Sequence, residues 1–507
     1  MKTLLKIILY FALFVLAIFL ILFLFFKDEY NDLFEGYLHE APEKFMTSDR
    51  TISIAYSFDS ESYEPTFFDP ITRSRLVDVY ETLVKTDNNL QFKPNLSLSW
   101  GRLSNTKWEF KLRPNVTFHD GSSFDSEDVI SSFNRAKDYE ESGLKGILST
   151  IESIDKIDDL TIHISTKRPD PILINRISTV FIFPSEMESF DSPTGTGAYK
   201  FLTHENGSVE LTRNTEYWGE PPYYENIEIT TIPNRFDRFD ALSKGDVQIL
   251  ANVPPSFAQE LMSDPAITVS SVPSLEVNFL MFAMNSEIFS DKRIREAISL
   301  AFDKRAFVAF SNGYARKSDQ FVSTGIFGFN PNIKDKEQDI EKAKSIIREF
   351  DPFKRLEVVV DITEGADSIG DYINQQLSQI GVSAKINILS WDDLLSKILA
   401  RESDMYYLGW RSELGDASTF FENAVYSTGR FNGGGYMSEK VDQLIELTME
   451  NLDIKKRLEQ LHQIMQIIVE EDIIGVPLFE SDIIYGIRAG VNFKPRLDGY
   501  IYAQEIR

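Results

Sequence analysis

The sequence predicts a mixed α/β chain of two or three domains behind one hydrophobic N-terminal helix, and three observations carry that prediction. The chain has 507 residues, more than one ordinary core organises. Alternating β-branched runs interleave with runs of helical period along its length. Twenty uncharged residues, 7–26, stand near the start between Lys6 and Lys27.

That first run reaches about 30 Å as a helix, the thickness of a bilayer's hydrocarbon core. A cleaved export signal has a shorter apolar stretch of about 7–15 residues and ends at a small-residue site. Here the run passes through Phe25 and Phe26 straight into Lys27, Asp28 and Glu29, with no Ala-x-Ala nearby. An uncleaved single-pass anchor is expected at 7–26. Lys2 and Lys6 favour a cytoplasmic 1–6 and place everything beyond the helix outside the cytoplasmic membrane. Residues 27–50, rich in Asp and Glu with two Tyr and one Pro, read as a stalk.

Composition then narrows the function class. The net charge is −26, and no clustered Lys and Arg run offers a footprint for nucleic acid. The absence of cysteine removes disulfides, thiolate metal sites and Cys nucleophiles, and also the usual lipid attachment point of an exported lipoprotein. The five histidines, at 39, 119, 163, 204 and 462, show no metal-ligand spacing. There is no P-loop, no Gly-x-Ser-x-Gly elbow and no Gly-x-Gly-x-x-Gly. No catalytic residue, metal site or cofactor is expected. Gly433-Gly-Gly435 reads as a turn before a helix rather than a phosphate nest.

Past the stalk, 51–56, 108–112 and 160–165 alternate as strands. Residues 126–136 read as a helix capped by Ser126, with Val129, Ile130 and Phe133 on one face. Residues 291–307 read as another, with Ile294, Ala297, Ile298, Ala301 and Phe302 inward. The longest helical stretch, 439–471, breaks near Asn451-Leu-Asp453. Arg113-Pro-Asn115 and His119-Asp-Gly121 are turns.

The ordered text from Tyr80 is more specific. Tyr80-Glu-Thr-Leu-Val-Lys85 precedes Lys93-Pro-Asn-Leu-Ser-Leu-Ser-Trp100, and Trp108 to Gly121 precedes Phe124-Asp-Ser-Glu-Asp-Val-Ile-Ser-Ser-Phe133. Gly195-Thr-Gly-Ala-Tyr-Lys200, Leu211 to Trp218, Ala241 to Asp246, Asp291 to Ala297, Glu341 to Lys344 and Gln376 to Val382 follow in order. This pattern resembles the family 5 extracellular solute-binding proteins, the dipeptide, oligopeptide and nickel-binding group, over about 50–507. The resemblance implies a two-lobed periplasmic-binding-protein fold of type II, in its large class with an inserted subdomain. The first lobe would comprise 51–80, 193–276 and 481–507, with the subdomain at 81–192, and the second lobe 277–480. It also implies a monomer that closes on a peptide or other small solute and delivers it to the permease subunits of an ABC importer. A non-peptide ligand (a nickel chelate, an opine or an oligosaccharide) and a tethered sensor that transports nothing stay open.

The resemblance places the ligand site as well. Relatives carry a Trp followed by an amine-binding Asp and a second acid. Here the stretch is Trp410, Arg411, Ser412, Glu413, Leu414, Gly415, Asp416, so Glu413 stands where that Asp would be and Asp416 keeps the second acid. A carboxylate in a poorly hydrated cleft prefers a cationic partner, and Glu413 suits an α-ammonium. Trp391 matches a second pocket Trp, and Tyr407, Arg411 and Ser412 are expected at the cleft. Thr72 and Arg73 lie where relatives offer backbone groups to a peptide.

Overall fold

The computed structural model describes residues 50–507 except 61, 335, 354 and 355. The expected cytoplasmic residues 1–6, the anchor 7–26 and all of the stalk but Arg50 lie outside the described residues. Among the described residues no helix is long and apolar enough to cross a membrane.

An eleven-stranded sheet organises the chain. Its order runs Tyr199–Glu205, Ser208–Arg213, Asn226–Thr231, Thr51–Tyr56, Ile249–Leu250, Gly475–Arg488, Ile267–Phe282, Met405–Arg411, Glu357–Thr363, Ser383–Leu389, and the short Ala315–Lys317 pairs with Gly475–Arg488. Helices pack along its faces, so the class is mixed α/β as expected. A separate four-stranded sheet, which includes Lys107–Leu112 and Thr161–Thr166, packs with the helix Ser126–Asp138 around Phe110, Phe133, Ile162 and Ile164.

Two strands run through the middle, Ile267–Phe282 and Gly475–Arg488, antiparallel to one another. Their pairing is interrupted between Pro273 and Val277. Pro273 has no N–H to give a ladder, and Leu275 adopts φ +60°, a left-handed conformation that bends a strand. Each side of the break feeds different cores. Ile483, Tyr485 and Ile487 join Ile52, Ile54 and Tyr199, whereas Leu280, Phe282, Val476 and Leu478 join Ile294, Ile298 and Val360. Val277, Phe279 and Met281, on the opposite face, pack with Phe420 and Leu461.

Local signals were mostly read correctly. The helix predicted from 126 starts there, but its cap is Asp125, whose side chain accepts from Glu127 N–H while its own N–H donates to the Asp128 carboxylate, the reciprocal bond of a capping box. Ser126 is fully buried instead. The helix predicted over 291–307 is two helices, Lys292–Ala301 and Arg305–Phe310, because Phe302 is extended, and the Asp303 carboxylate accepts from the Arg305 N–H where the second begins. The freed carbonyls of Ala301 and Asp303 accept from Gln338 and Tyr372. The break at Asn451-Leu-Asp453 stands between Glu439–Glu450 and Ile454–Gln466. Gly195 and Gly197 lie so close to residues 78 and 79 that a Cβ on either would sit within 2.3 Å of a carbonyl oxygen, Val79 O or Asp78 O. Only glycine fits there.

The C-terminal segment folds back over this region. Asp78, wholly buried, accepts from the N–H groups of Ala503 and Gln504. Arg496 binds Asp498, Glu505, Asn88 and the Thr86 carbonyl. Burial pushes the Asp78 carboxyl up to about 7. His119, shut between Gly195 N–H and the Gly197 carbonyl, is pushed down to about 4 by the same loss of hydration. The consequences oppose one another. Asp78 binds a proton more tightly folded than unfolded, so its contribution is lost as pH rises from about 4 to about 7. His119 binds one less tightly, so its contribution is lost as pH falls from about 6.5 to about 4. Chemical denaturation between pH 4 and 7 should therefore show little net slope from these two groups. Asp78→Asn should become markedly less stable toward pH 4, and His119→Gln more stable toward it. Equal slopes in the two variants would refute this assignment.

Candidate ligand-binding site

The strand Met405–Arg411 carries the central expected residues, and its alternation divides them. Tyr406, Leu408 and Trp410 face one core. The Trp410 ring packs edge-on against Phe420 at 5.5 Å and Phe431 at 6.1 Å, with its indole N–H buried and unpartnered among the described residues. Tyr407 and Arg411 face the other side, across exposed Gly409. There the strand register sets Glu276 opposite Arg411 and Asn278 opposite Gly409. Tyr407 donates its hydroxyl to Asn278 Oδ1 at 2.7 Å, and Asn278 donates to Glu276 Oε1 at 3.2 Å.

Arg411 donates to the Asp498 carbonyl, which joins this strand to the C-terminal segment. Glu413, two residues on, is exposed as a residue, yet lost hydration at its carboxyl raises it above the usual glutamate range. The positive charges of Arg411 and Arg73 oppose that rise, and Asp69 adds to it. Arg73 and Asp69 come from the short helix Pro70–Leu76 and its cap, more than three hundred residues earlier. Tyr500 feels the charges of Arg73, Glu413 and Arg411, after a dominant effect of burial that raises its hydroxyl. Glu276, also raised by burial, is eased by Arg411. The structure thus gathers Arg73, Arg411, Glu413, Glu276 and Tyr500 from distant parts of the chain.

Several expected site residues have other employment. Asp416 is buried and gives both carboxylate oxygens to Arg457, at 2.7 and 2.8 Å, and accepts from Ser418 N–H as well. A ligand would have to break a desolvated bidentate pair to reach it. Ser412 is 0% exposed, which seals its side chain away from any solute. Thr72 is buried too, and its N–H is spent on Asp69 Oδ1 at 2.8 Å. The Arg73 N–H bonds the Asp69 carbonyl. Both N–H groups are thus engaged within a capped helix rather than on an open edge. Trp391 stands apart at the first residue of the helix Trp391–Ala400, and is 53% exposed.

Sequence reasoning did not single out Glu276, Asn278 and Tyr500. The strand register that pairs Glu276 with Arg411 is the signal that finds the first two. Asn175 was missed as well. It donates to the Leu414 carbonyl at 2.7 Å, beside Glu413, while Arg176 approaches Glu422 at 4.0 Å and Arg168 approaches the Met449 sulfur at 3.3 Å. These contacts hold residues 168–176 against 414–449. The Gly433–Gly435 stretch is a tight crossing, with Gly434 against the Phe282 carbonyl. Among the described residues no group of three or more His, Asp and Glu has a metal-binding arrangement.

Comparison with known proteins fits this geometry. The dipeptide-binding protein of Escherichia coli K12 is 22% identical over 478 residues, covering 85% of this chain and 89% of its own. The Helicobacter pylori binding protein DppA, solved in complex with the peptide STSA, superposes with a TM-score of 0.75 at 23% identity, covering 90% of this chain and 97% of its own. The substrate-binding protein CtaP of Listeria monocytogenes reaches 0.82 at 21% identity, covering 90% and 99%. At such identities these structures establish the fold. The model of the bacterial extracellular solute-binding proteins, family 5, matches residues 91–432, more than half of the chain. With the ordered motifs and the shared fold, the match makes this chain a member of that family, a solute-binding protein and not an enzyme.

Proposed function

We propose that the chain captures peptides or peptide-like solutes between two lobes and presents them to the permease of an ABC-type importer. The single observation that carries this reading is Glu413, a carboxylate raised by lost hydration and set among the charges of Arg411, Arg73 and Asp69, the last two brought from more than three hundred residues earlier. A carboxylate that has lost hydration gains most from a cation brought in with the ligand, and a peptide's free ammonium is that cation. Relatives named for dipeptides and a neighbour solved with STSA support the peptide class.

In this reading the two lobes are 51–80, 193–276 and 481–507 on one side and 277–480 on the other, with 81–192 inserted in the first. The irregular pairing at Pro273–Val277 is the hinge. Asn175, Arg176 and Arg168 fasten the closed state. The chain acts as a monomer, held at the outer face of the cytoplasmic membrane by 7–26.

Native mass spectrometry of the full-length chain tests the ligand class. A ladder of co-purifying peptide masses is expected, and a single small non-peptide mass would contradict it. In Glu413→Gln, affinity for a peptide bound by the wild type should fall about 10- to 100-fold, the worth of a charge-assisted hydrogen bond of about 1.5–3 kcal/mol. Burial holds the Glu413 proton on, so wild-type affinity should strengthen as pH rises through its raised range, and the variant should lose that slope. Titration calorimetry reads both effects. For the anchor, the mature protein should begin at Met1 and remain with membranes after a salt wash. Release into the soluble fraction would indicate cleavage.

A further inference from the structure

Among the described residues seven arginines are buried, and six of them have at least one guanidinium nitrogen held by a protein oxygen, although the Nε of Arg75 and of Arg176 has no hydrogen-bond partner. Arg75 binds the Phe58 carbonyl, Arg176 Asp170, Arg238 two carbonyls, Arg295 several, Arg457 Asp416, and Arg496 Asp498. Arg73 is different. It is 6% exposed, its Nη1 is buried, and that nitrogen has no hydrogen-bond partner among the described residues. What it has is aromatic. Its guanidinium carbon lies 4.1 Å from the centre of the Phe181 ring and 5.2 Å from that of Phe68.

Rings satisfy only the face of a guanidinium. The five N–H groups point outward in its plane and need acceptors. A buried donor without one is costly, and Arg73, unlike the other six, has no guanidinium hydrogen bond among the described residues to offset that cost. The nearest anions do not close the gap. Asp69 is committed to capping Thr72, and Glu413 feels the Arg73 charge without forming an ion pair with it. Tyr500 senses both charges. Arg73 thus stands stacked, charged and part-satisfied at the cleft, facing an acid it does not reach.

We infer that Arg73 is the seat for a carboxylate of the ligand, and that the site therefore selects short peptides carrying an anionic group close to their free ammonium. The inference rests on the peptide reading above and adds the ligand's charge pattern to it. A zwitterion laid between the two residues gives Glu413 its cation and Arg73 its acceptor together. A guanidinium edge takes a carboxylate through two parallel hydrogen bonds, which a neutral amide cannot reproduce. The anion is either the terminal carboxylate of a dipeptide or an acidic first side chain, since both sit near the ammonium.

Titration calorimetry on the full-length chain in detergent separates these, with Ala-Ala, Ala-Ala amide, Asp-Ala amide and Asn-Ala amide as probes. At least one carboxylate probe should bind about 10-fold or more tightly than its neutral counterpart, Ala-Ala over Ala-Ala amide or Asp-Ala amide over Asn-Ala amide. Whichever gains identifies the source of the anion. In Arg73→Gln that preference should shrink to within about 2-fold while the neutral probes bind as before, and Arg73→Lys should retain part of it. Neutral and anionic probes binding the wild type alike would overturn the role of Arg73 and leave the peptide reading intact. An equal loss for all probes in Arg73→Gln would make the residue structural and overturn it too. Failure of every probe to bind the wild type would overturn the peptide reading and this inference with it.

Discussion

The two long strands Ile267–Phe282 and Gly475–Arg488 place everything else. They are hydrogen-bonded to each other on both sides of an interruption at Pro273–Val277, so each half of the molecule hangs on its own end of one continuous ladder. Backbone pairing fixes the register within each half, and the break leaves one stretch where a proline and a left-handed leucine replace regular bonds. The strand Met405–Arg411 is registered on the far half, which sets Arg411 over Glu276 and carries Glu413 to the rim. The C-terminal segment, tied down by Asp78 and Arg496, brings Tyr500 to the same place from the other half.

Charge in the cleft then follows one physical rule. Groups deprived of water need partners, and the fold supplies them where the interior is finished. Asp416 and Arg457 complete one another, as do Arg496 and Asp498. At the cleft the rule is left half-fulfilled. Glu413 loses hydration without receiving a hydrogen-bonded cation, and Arg73 keeps only its aromatic faces. Unfinished pairs of this kind are expensive to keep, and in a binding protein the ligand is what finishes them.

How much of this was legible depended on the range of the interaction. The strand at 51–56, the helix from 126 and the break at Asn451–Asp453 depend on period, caps and turns within a few residues, and they read out almost unchanged. Small errors came from neighbouring residues of equal capping power, as with Ser126 and Asp125. The helix at Pro70–Leu76 was signalled by Asp69 followed by Pro70, a cap and a first-turn proline, yet that segment was read as open backbone. Asp416 shows a different limit of the sequence. Its motif position is the same whether it faces a ligand or a guanidinium, and Arg457, 41 residues later, decides the matter. Glu276, Tyr500 and Asn175 have no local mark, because only the folded ladder brings them beside Glu413.

The central claim is that a ligand completes the Glu413 and Arg73 pairs, and a ligand-bound crystal structure tests it most directly. The account predicts a ligand ammonium within hydrogen-bond distance of the Glu413 carboxylate and a ligand carboxylate on the Arg73 guanidinium edge. A bound ligand that leaves both side chains to solvent or to other protein groups would contradict it.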